Sequence, residues 1–170
     1  MQLPAAPVTP DKFAHCTFCG ARFTRGQPWP RRCAACGETS YQNPTPVAVA
    51  VQPVGGGLLA VRRSTAPARG RLALPGGFID VGESWQDALT RELFEETGFR
   101  ADPRFVRLYD VISAPDGTLL IFGLLPTLPN ADPIPPPEAN EESLGWEILP
   151  GPVELGFSIH TEIARRYFET

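Results

Sequence analysis

The sequence lacks the features that place a protein in a membrane or mark it for secretion. No apolar run approaches the roughly 18 residues of a membrane-spanning helix, and no internal repeat is present. Residues 1–11 have neither a basic start nor the apolar run of a secretory signal. We therefore expect a cytoplasmic protein with no membrane partner.

Positive charge is also scarce. The chain has 15 Lys and Arg residues against 19 Asp and Glu residues, which gives a net charge of −4. Four arginines near the N-terminus are interleaved with aromatic residues, a pattern that nucleic-acid surfaces can show: Arg22, Arg25, Arg31 and Arg32. Because binding to a polyanion depends on many basic contacts, the acidity of the whole chain argues against nucleic acid as a partner.

Only four cysteines occur, and they form two Cys-x2-Cys pairs with thirteen residues between the pairs: Cys16, Cys19, Cys33 and Cys36. Thiolates at this spacing suit tetrahedral Zn²⁺, and a glycine after each pair permits a tight turn. Disulfides are the alternative, but they would need an oxidising compartment. We expect a structural zinc ribbon over residues 11–42, whose role is structural or dimerising, so that a homodimer is one possible assembly.

Residues 46–170 have the length and apolar content of one further domain. Alternating apolar residues predict strands at residues 47–52 and 58–62, which the glycines between them would join as a hairpin. Further strands are expected at residues 105–112 and 119–125. Residues 126–137 hold six prolines and predict a loop. A last helix is expected after it, with Ser158 as its cap and Tyr167 near its end.

The most acidic stretch, residues 77–99, contains six carboxylates and one arginine. Ser84 is placed as the N-cap of a helix, and apolar residues recur every four positions behind it. Gly98 suits the left-handed conformation that ends many helices. The pattern predicts a helix over residues 85–97. Three glutamates then share one face: Glu92, Glu95 and Glu96.

These three carboxylates repel one another by a few tenths of a kcal/mol per pair. The C-terminal half of a helix disfavours anions as well. A hard divalent cation, Mg²⁺ or Mn²⁺, would offset the repulsion, because it takes oxygen ligands. The alternative is a solvated acidic face, which is the usual meaning of a charge run.

The spacing favours the cation. Five residues separate Gly77 from Glu83, and seven more precede the run Arg91-Glu92-Leu93-Phe94-Glu95-Glu96-Thr97-Gly98-Phe99. This pattern resembles the box of the Nudix hydrolases at every specified position, and the Leu-Pro-Gly-Gly run that ends at Gly77 is also typical of that family. The resemblance implies an α+β fold, in which an α/β/α sandwich with a mixed β-sheet follows the ribbon. It also implies hydrolysis of a nucleoside diphosphate linked to another group.

The resemblance assigns metal-binding and catalytic roles. The Mg²⁺ ligands fall on four residues of the box and its approach: Gly76 through its carbonyl, Glu92, Glu95 and Glu96. Glu92 is also the natural base, Arg91 would orient the carboxylates, and Glu83 would pair with Arg91 or serve a second metal. In some members a carboxylate from a later loop takes the proton from water instead. The candidates here are Glu138, Glu141 and Glu142.

Two arginines at the end of a predicted strand, Arg62 and Arg63, are candidates for binding phosphate, because a guanidinium can bind two oxygens at once. They suit surface charge equally well. Phe157 and His160 are candidates for contact with a base, although Phe157 is also placed to pack under the last helix.

The ribbon followed by the box is similar to the branch of NADH pyrophosphatases. Members of that branch carry a Ser-Gln-Pro-Trp-Pro-Phe-Pro segment after the box, which residues 100–115 lack. The expected function is therefore a Mg²⁺-dependent pyrophosphohydrolase for NAD(H) or an ADP-ribose-like small molecule. Two alternatives stay open. One is a nucleotide-sensing module whose ribbon contacts protein or nucleic acid, and the other is an enzyme that cleaves nucleoside triphosphates.

Overall fold

Two structural units make up the chain in this computed structural model, Met1–Asn43 and Pro44–Thr170. The structure describes residues 12–169. Asp11 at the start of the predicted ribbon, Thr170, and the segment interpreted as lacking a secretory signal lie outside the described residues. The domain ranges 11–42 and 46–170 stay predictions.

The N-terminal unit is built from two similar turns and one short hairpin. Strands β1 (Arg31–Arg32) and β2 (Thr39–Ser40) pair antiparallel. The N–H of Gly20 donates to the carbonyl of Cys16 at 3.0 Å, and the N–H of Gly37 donates to that of Cys33 at 2.9 Å. Both glycines have positive φ, so each Cys-x2-Cys pair is followed by the tight turn that the sequence predicts.

A mixed sheet forms the centre of the second unit. Its strands are β3 (Thr45–Val51), β7 (Gly76–Phe78), β8 (Arg107–Ser113) and β9 (Thr118–Leu124). They lie in the order β7-β3-β9-β8, where β3 runs parallel to β9 and the other two pairs are antiparallel.

A second sheet is antiparallel throughout. Its strands are β4 (Pro53–Val54), β5 (Gly57–Arg63), β6 (Leu72–Ala73) and β10 (Ser143–Leu149). The order is β10-β5-β4, and β6 pairs with β5.

Two helices cover opposite faces of the mixed sheet. They are α1 (Trp85–Thr97) and α2 (Ser158–Phe168), and a short 3₁₀ helix spans Pro103–Phe105. Because side chains alternate along a strand, Ala48 and Ala50 of β3 join the core that contains α1, while Val49 and Val51 join the core that contains α2. The α+β fold with helices on both faces of a mixed sheet is confirmed.

Helix α1 begins and ends where its sequence predicts. The Ser84 hydroxyl accepts a hydrogen bond from the N–H of Asp87 at 3.1 Å. At the other end Gly98 has a φ of 74°, and its N–H donates to the carbonyl of Phe94. Local signals at both ends therefore fix the helix that carries the acidic residues.

The predicted hairpin of residues 47–52 and 58–62 is wrong as stated. The first segment lies in β3 of the mixed sheet, whereas the second lies in β5 of the other sheet. The chain changes sheet after Val51, and β5 turns back on β4 through the pair Val54 and Gly57. The apolar alternation locates both strands but carries no information about which strand each one pairs with.

The N-cap of α2 also differs from the prediction. Ser158 is the first helical residue, and the cap position belongs to Phe157, which makes no side-chain capping hydrogen bond. Neither of the helices among residues 12–169 is long and apolar enough to cross a membrane.

The buried imidazole of His160 makes stability sensitive to acid. Its Nδ1 accepts a hydrogen bond from the N–H of Leu74 at 3.2 Å, and burial lowers its pKa to about 4, with the charge of Arg63 adding to the effect. The unfolded imidazole, with a pKa near 6.5, takes up a proton first as the pH falls. Between about pH 6.5 and 4 the unfolded state therefore binds more protons, and stability falls with the pH.

We predict that this histidine lowers the free energy of unfolding by about 2 kcal/mol between pH 7 and pH 5. Urea denaturation of the native protein and of His160→Asn at both pH values measures the effect, because Asn keeps an acceptor for Leu74 and does not titrate. Equal losses in the two proteins would contradict the prediction.

Candidate active site

At Gly76 and Gly77, in the strand before α1, the backbone lies very close to neighbouring atoms. Gly76 pairs with Val49 across the sheet, and a Cβ at Gly76 would lie 2.3 Å from the carbonyl oxygen of Ala48. A Cβ at Gly77 would lie 2.3 to 2.4 Å from the carboxylate atoms of Glu92. The sheet backbone therefore requires glycine at position 76, whereas a side chain at position 77 would displace the Glu92 carboxylate.

Arg91 holds three carboxylates. Its Nη2 donates to Glu83 at 2.7 Å, and its Nη1 donates to Glu92 at 2.8 Å and to Glu95 at 3.0 Å. Nη2 also donates to the carbonyl of Phe78 at 2.9 Å. The hydrogen bonds from Arg91 keep the pKa of Glu83 below its ordinary value. The guanidinium thus links the loop before α1 to the acidic face of that helix.

A cluster of carboxylates suitable for a cation lies beside this arginine. Oxygen atoms of Glu92, Glu95 and Glu142 lie within 4.8 Å of one another. Glu92 is 8% exposed, and burial raises its pKa although Arg91 opposes the shift. Three oxygen donors with excess negative charge match the preference of Mg²⁺ and Mn²⁺, so the residues fit a divalent cation.

Glu142 reaches the cluster because the loop before β10 is fastened on both sides. Asn140 Nδ2 donates to the carbonyl of Glu95 at 2.8 Å, and its Oδ1 accepts from the N–H groups of Glu142 at 2.9 Å and Ser143 at 2.7 Å. From the other side, the N–H of Ser64 donates to the carbonyl of Glu142 at 3.1 Å. The loop is therefore tied to α1 and to the end of β5.

Glu96 occupies a different environment from Glu95. It is 6% exposed, and its Oε2 accepts a hydrogen bond from the N–H of Gly76 at 3.0 Å. Burial, together with the negative charges of Glu92 and Glu142, raises its pKa to about 8. Glu96 therefore lies buried against Gly76, the glycine whose carbonyl the family resemblance implies as a metal ligand.

A cleft of about 810 Å³ contains these groups, and it is large enough for a nucleotide-sized ligand. Arg91, Glu92, Glu96 and Glu142 line one part of it. Other parts are lined by apolar side chains and by the start of α2. Lining residues outside the acidic part include Arg63, Leu120, Phe157, Ser158 and His160.

The structure separates the two candidate phosphate-binding arginines. Arg63 lines the cleft. Arg62 instead donates to Glu147 at 2.5 Å and to the carbonyl of Gly70 at 2.8 Å, and it is not among the residues lining the cleft. Neighbouring residues of a strand point to opposite sides, so only one of the two can serve the cleft.

The later carboxylates are all exposed, and of the three only Glu142 lines the cleft, whereas Glu138 and Glu141 do not. The sequence did not distinguish among these three carboxylates, and nothing in it indicated that Asn140 would position their loop. An Asn two residues before an acid is a common turn pattern, which predicts a turn but not its tie to α1. The functional roles of all these residues stay predictions.

The four cysteines form a second cluster, in the N-terminal unit. Their Sγ atoms lie within 4.8 Å of one another, with Cys16 and Cys33 buried. Backbone N–H groups in the turns lower the pKa of Cys16 to about 6 and also lower the pKa of Cys33. The arrangement is compatible with tetrahedral zinc.

A known protein family matches the part of the sequence that forms this site. The model of the NUDIX domain family matches residues 43–154. The chain belongs to the Nudix family.

Two curated relatives match part of this Nudix protein. An ADP-ribose pyrophosphatase from Methanocaldococcus jannaschii is 42% identical over 59 residues, which is 35% of this chain and 34% of the relative. The NAD-capped RNA hydrolase NudC from Edwardsiella ictaluri is 36% identical over 84 residues, which is 48% of this chain and 32% of the relative. The chain thus matches about a third of the length of each.

A solved structure matches nearly the whole chain. The crystal structure of a NUDIX hydrolase from Nitrosomonas europaea has a TM-score of 0.72 and 26% identity, and the match covers 91% of this chain and 90% of that one. The fold of the Nudix protein described above is therefore shared along most of its length.

The contact between Gly77 and Glu92 gives a prediction for metal binding. Gly77→Ala places a methyl group on the Glu92 carboxylate and forces that side chain out of the cluster. We expect Mn²⁺ affinity at this site to fall by about 10- to 100-fold, the range seen when groups that orient ligands are lost. Titration of Mn²⁺ followed by electron paramagnetic resonance measures it.

Gly56→Ala is the matched control. A Cβ at Gly56 meets nothing within 4 Å, so this variant should bind Mn²⁺ as the native protein does. An unchanged affinity in Gly77→Ala would show that Glu92 does not contribute to the metal site.

Proposed function

We propose that this Nudix protein is a divalent-metal-dependent pyrophosphohydrolase that cleaves a nucleoside diphosphate linked to a further group. The observation that carries the proposal is the carboxylate cluster of Glu92, Glu95 and Glu142, two of whose members, Glu92 and Glu142, line one cleft with Arg63. The names of the two curated relatives refer to ADP-ribose and to NAD. Both compounds contain adenosine diphosphate joined to another group, so we propose ADP-ribose-like or NAD-like substrates.

The carboxylate cluster would hold Mg²⁺ or Mn²⁺ through oxygens of Glu92, Glu95 and Glu142, with Glu96 and the Gly76 carbonyl as the further predicted ligands. These residues would hold a cation whose chemistry is to offset negative charge on a phosphoryl group and to make water a better nucleophile. Arg91 keeps Glu92 and Glu95 in place before a cation arrives, because its guanidinium satisfies one oxygen of each. The remaining oxygens are left for the metal.

Glu142 is the better candidate for the base that takes the proton from the attacking water. Arg91 donates to one carboxylate oxygen of Glu92 at 2.8 Å, so that oxygen is already engaged. The Glu142 carboxylate, by contrast, makes no hydrogen bond or ion pair to any residue from 12 to 169. A carboxylate at the cleft surface with a free lone pair can reach a water, provided that its loop is held, and Asn140 holds that loop.

Turnover with a panel of substrates tests the proposal. With Mg²⁺ present, we expect the protein to convert ADP-ribose or NADH to a mononucleotide, which chromatography of the products detects. Glu92→Gln and Glu96→Gln should lower kcat by about 10² or more, and Glu142→Gln should lower it by about 10²–10⁴ if it is the base.

Glu138→Gln and Glu141→Gln are the controls, because they remove the same charge from exposed positions on the same loop. Both should keep native turnover. Absence of turnover across ADP-ribose, NAD⁺, NADH and nucleoside triphosphates would overturn the enzymatic proposal, and near-normal rates in the variants of the box would overturn the assignment of residues.

We also propose that the four-cysteine cluster holds a structural Zn²⁺, with the thiols kept reduced as in the cytoplasm. The purified protein should contain about one zinc per chain by atomic emission. Removing the zinc with a strong chelator should make all four thiols reactive towards Ellman's reagent and should lower the melting temperature. Four freely reactive thiols in protein that contains no zinc from the start would contradict the proposal. A homodimer formed through this unit stays a prediction.

A further inference from the structure

Helix α2 presents its N-terminus to the cleft without the usual capping groups. Ser158, Ile159 and His160 all line the cleft. Within the described part of the chain, the N–H groups of these three residues have no hydrogen-bond acceptor. Phe157 at the cap position offers no side-chain acceptor, and the first turn holds no acidic residue. The positive end of the helix dipole therefore faces the cleft uncompensated.

A second donor lies beside these N–H groups. His160 is 7% exposed, and its Nδ1 accepts the hydrogen bond from Leu74. That bond leaves the proton of the neutral ring on Nε2. Nε2 has no partner among residues 12–169, yet no unpartnered side-chain nitrogen or oxygen is fully buried there. Nε2 therefore keeps some contact with solvent. Because His160 lines the cleft, the cleft is where this donor can meet a ligand.

A fixed cation adjoins the same helix end. The guanidinium of Arg63 lies 5.1 Å from the centre of the Phe157 ring. Its hydrogen-bond partners are neutral, namely the carbonyl of Pro67 at 2.9 Å and the Thr65 hydroxyl at 3.3 Å. Arg63 forms no ion pair with any residue that the structure describes. A cation next to the positive end of a helix is electrostatically unfavourable unless an anion lies between them.

We propose that the N-terminal N–H groups of α2, His160 Nε2 and the Arg63 guanidinium together form a binding subsite for a phosphate group of the substrate. The subsite is separate from the carboxylate cluster, which binds phosphate only through a cation. It rests on the proposed function, because it identifies where that substrate's phosphate is held. Backbone N–H groups at a helix start suit phosphate oxygens, and a neutral histidine adds a hydrogen bond without competing for the metal.

Binding of AMP without added divalent metal tests the subsite directly. Without a cation, the carboxylate cluster repels phosphate, so AMP can gain affinity only at the basic subsite. Isothermal titration with AMP and with adenosine isolates the contribution of the phosphate, since the two ligands differ in nothing else. We expect AMP to bind about tenfold or more tightly than adenosine, and equal affinities would overturn the proposal.

The two functions of His160 can be separated by two variants. His160→Asn keeps an acceptor near the position of Nδ1 for Leu74 but has no donor at the position of Nε2. His160→Gln places an amide donor near Nε2. We expect His160→Asn to lose most of the preference for AMP and His160→Gln to retain it. The opposite order would show that His160 acts only through the fold.

The helix N-terminus is tested at Ser158, the first helical residue. Proline is well tolerated at this position, and Phe157 before it already has the extended conformation that proline requires, with φ −124° and ψ 133°. Ser158→Pro therefore removes one N–H while keeping the helix, and Ser158→Ala removes only the hydroxyl. We expect Ser158→Pro to weaken AMP binding by about three- to tenfold relative to Ser158→Ala, with equal melting temperatures. Equal AMP affinities in the two variants would overturn the role of the helix.

These measurements do not depend on turnover. A preference for AMP that the variants abolish would support the subsite even if no substrate is hydrolysed, in which case only the proposed enzymatic function fails. Turnover without any preference for AMP over adenosine would overturn the subsite and leave the enzyme intact.

Discussion

The architecture of the site depends on the repulsion among carboxylates that the fold gathers at one edge of a cleft. Two glutamates of helix α1, Glu92 and Glu95, lie close together in this cluster, and Glu83 and Glu96 lie beside it, Glu83 on Arg91 and Glu96 on Gly76. Glu142 joins them from a distant loop. Arg91 offsets part of the repulsion by pairing with three of them at 2.7 to 3.0 Å. The remaining negative charge would give a divalent cation affinity for this site.

Close packing of the backbone at Gly76 and Gly77 allows these glutamates to lie near one another. Glu92 and Glu96 are buried although they are acidic, and burial of a carboxylate costs free energy unless it is paired. Gly77 leaves room for the Glu92 carboxylate, and the N–H of Gly76 satisfies one oxygen of Glu96. Both glycines belong to β7, whose register against β3 is set by only three residue pairs. The position of this short strand in the sheet therefore determines where the carboxylates of Glu92 and Glu96 lie.

The parts that the sequence predicts well are those that local interactions determine. Helix α1 carries its own cap at Ser84 and its own stop at Gly98, so its ends follow from the sequence alone. Strand β10 was not predicted, because its residues do not alternate cleanly and its register against β5 shifts between Ser143 and Trp146. The pairing of β3 with β9 brings together residues about 70 positions apart, and no local pattern encodes that choice.

In the candidate site as well, some positions follow from local sequence and others depend on long-range contacts. Helical spacing predicts Glu92, Glu95 and Glu96 on one face, and the structure brings Glu92 and Glu95 together while Glu96 lies buried against Gly76. Which of Glu138, Glu141 and Glu142 enters the cleft depends on how Asn140 and Ser64 fasten the loop, and these contacts join segments more than 40 residues apart. The choice between Arg62 and Arg63 depends on which side of β5 faces the cleft, and that side is set by the pairing of β5 with β10 and β6.

The two ends of the cleft have opposite electrostatic character, and that polarity constrains how a substrate can lie. Arg63 contributes to the pKa shifts of both Glu96 and His160, so its charge is felt at the acidic end and at the start of α2. A diphosphate is repelled by the carboxylates until a cation neutralises them, whereas it is attracted by Arg63 and the helix N-terminus without one. On the proposal made above, the basic end would hold a diphosphate before the metal site is complete. A substrate held in this way by one phosphate would present the rest of its diphosphate to the carboxylate cluster, which would give the acidic and the basic end of the cleft separate tasks.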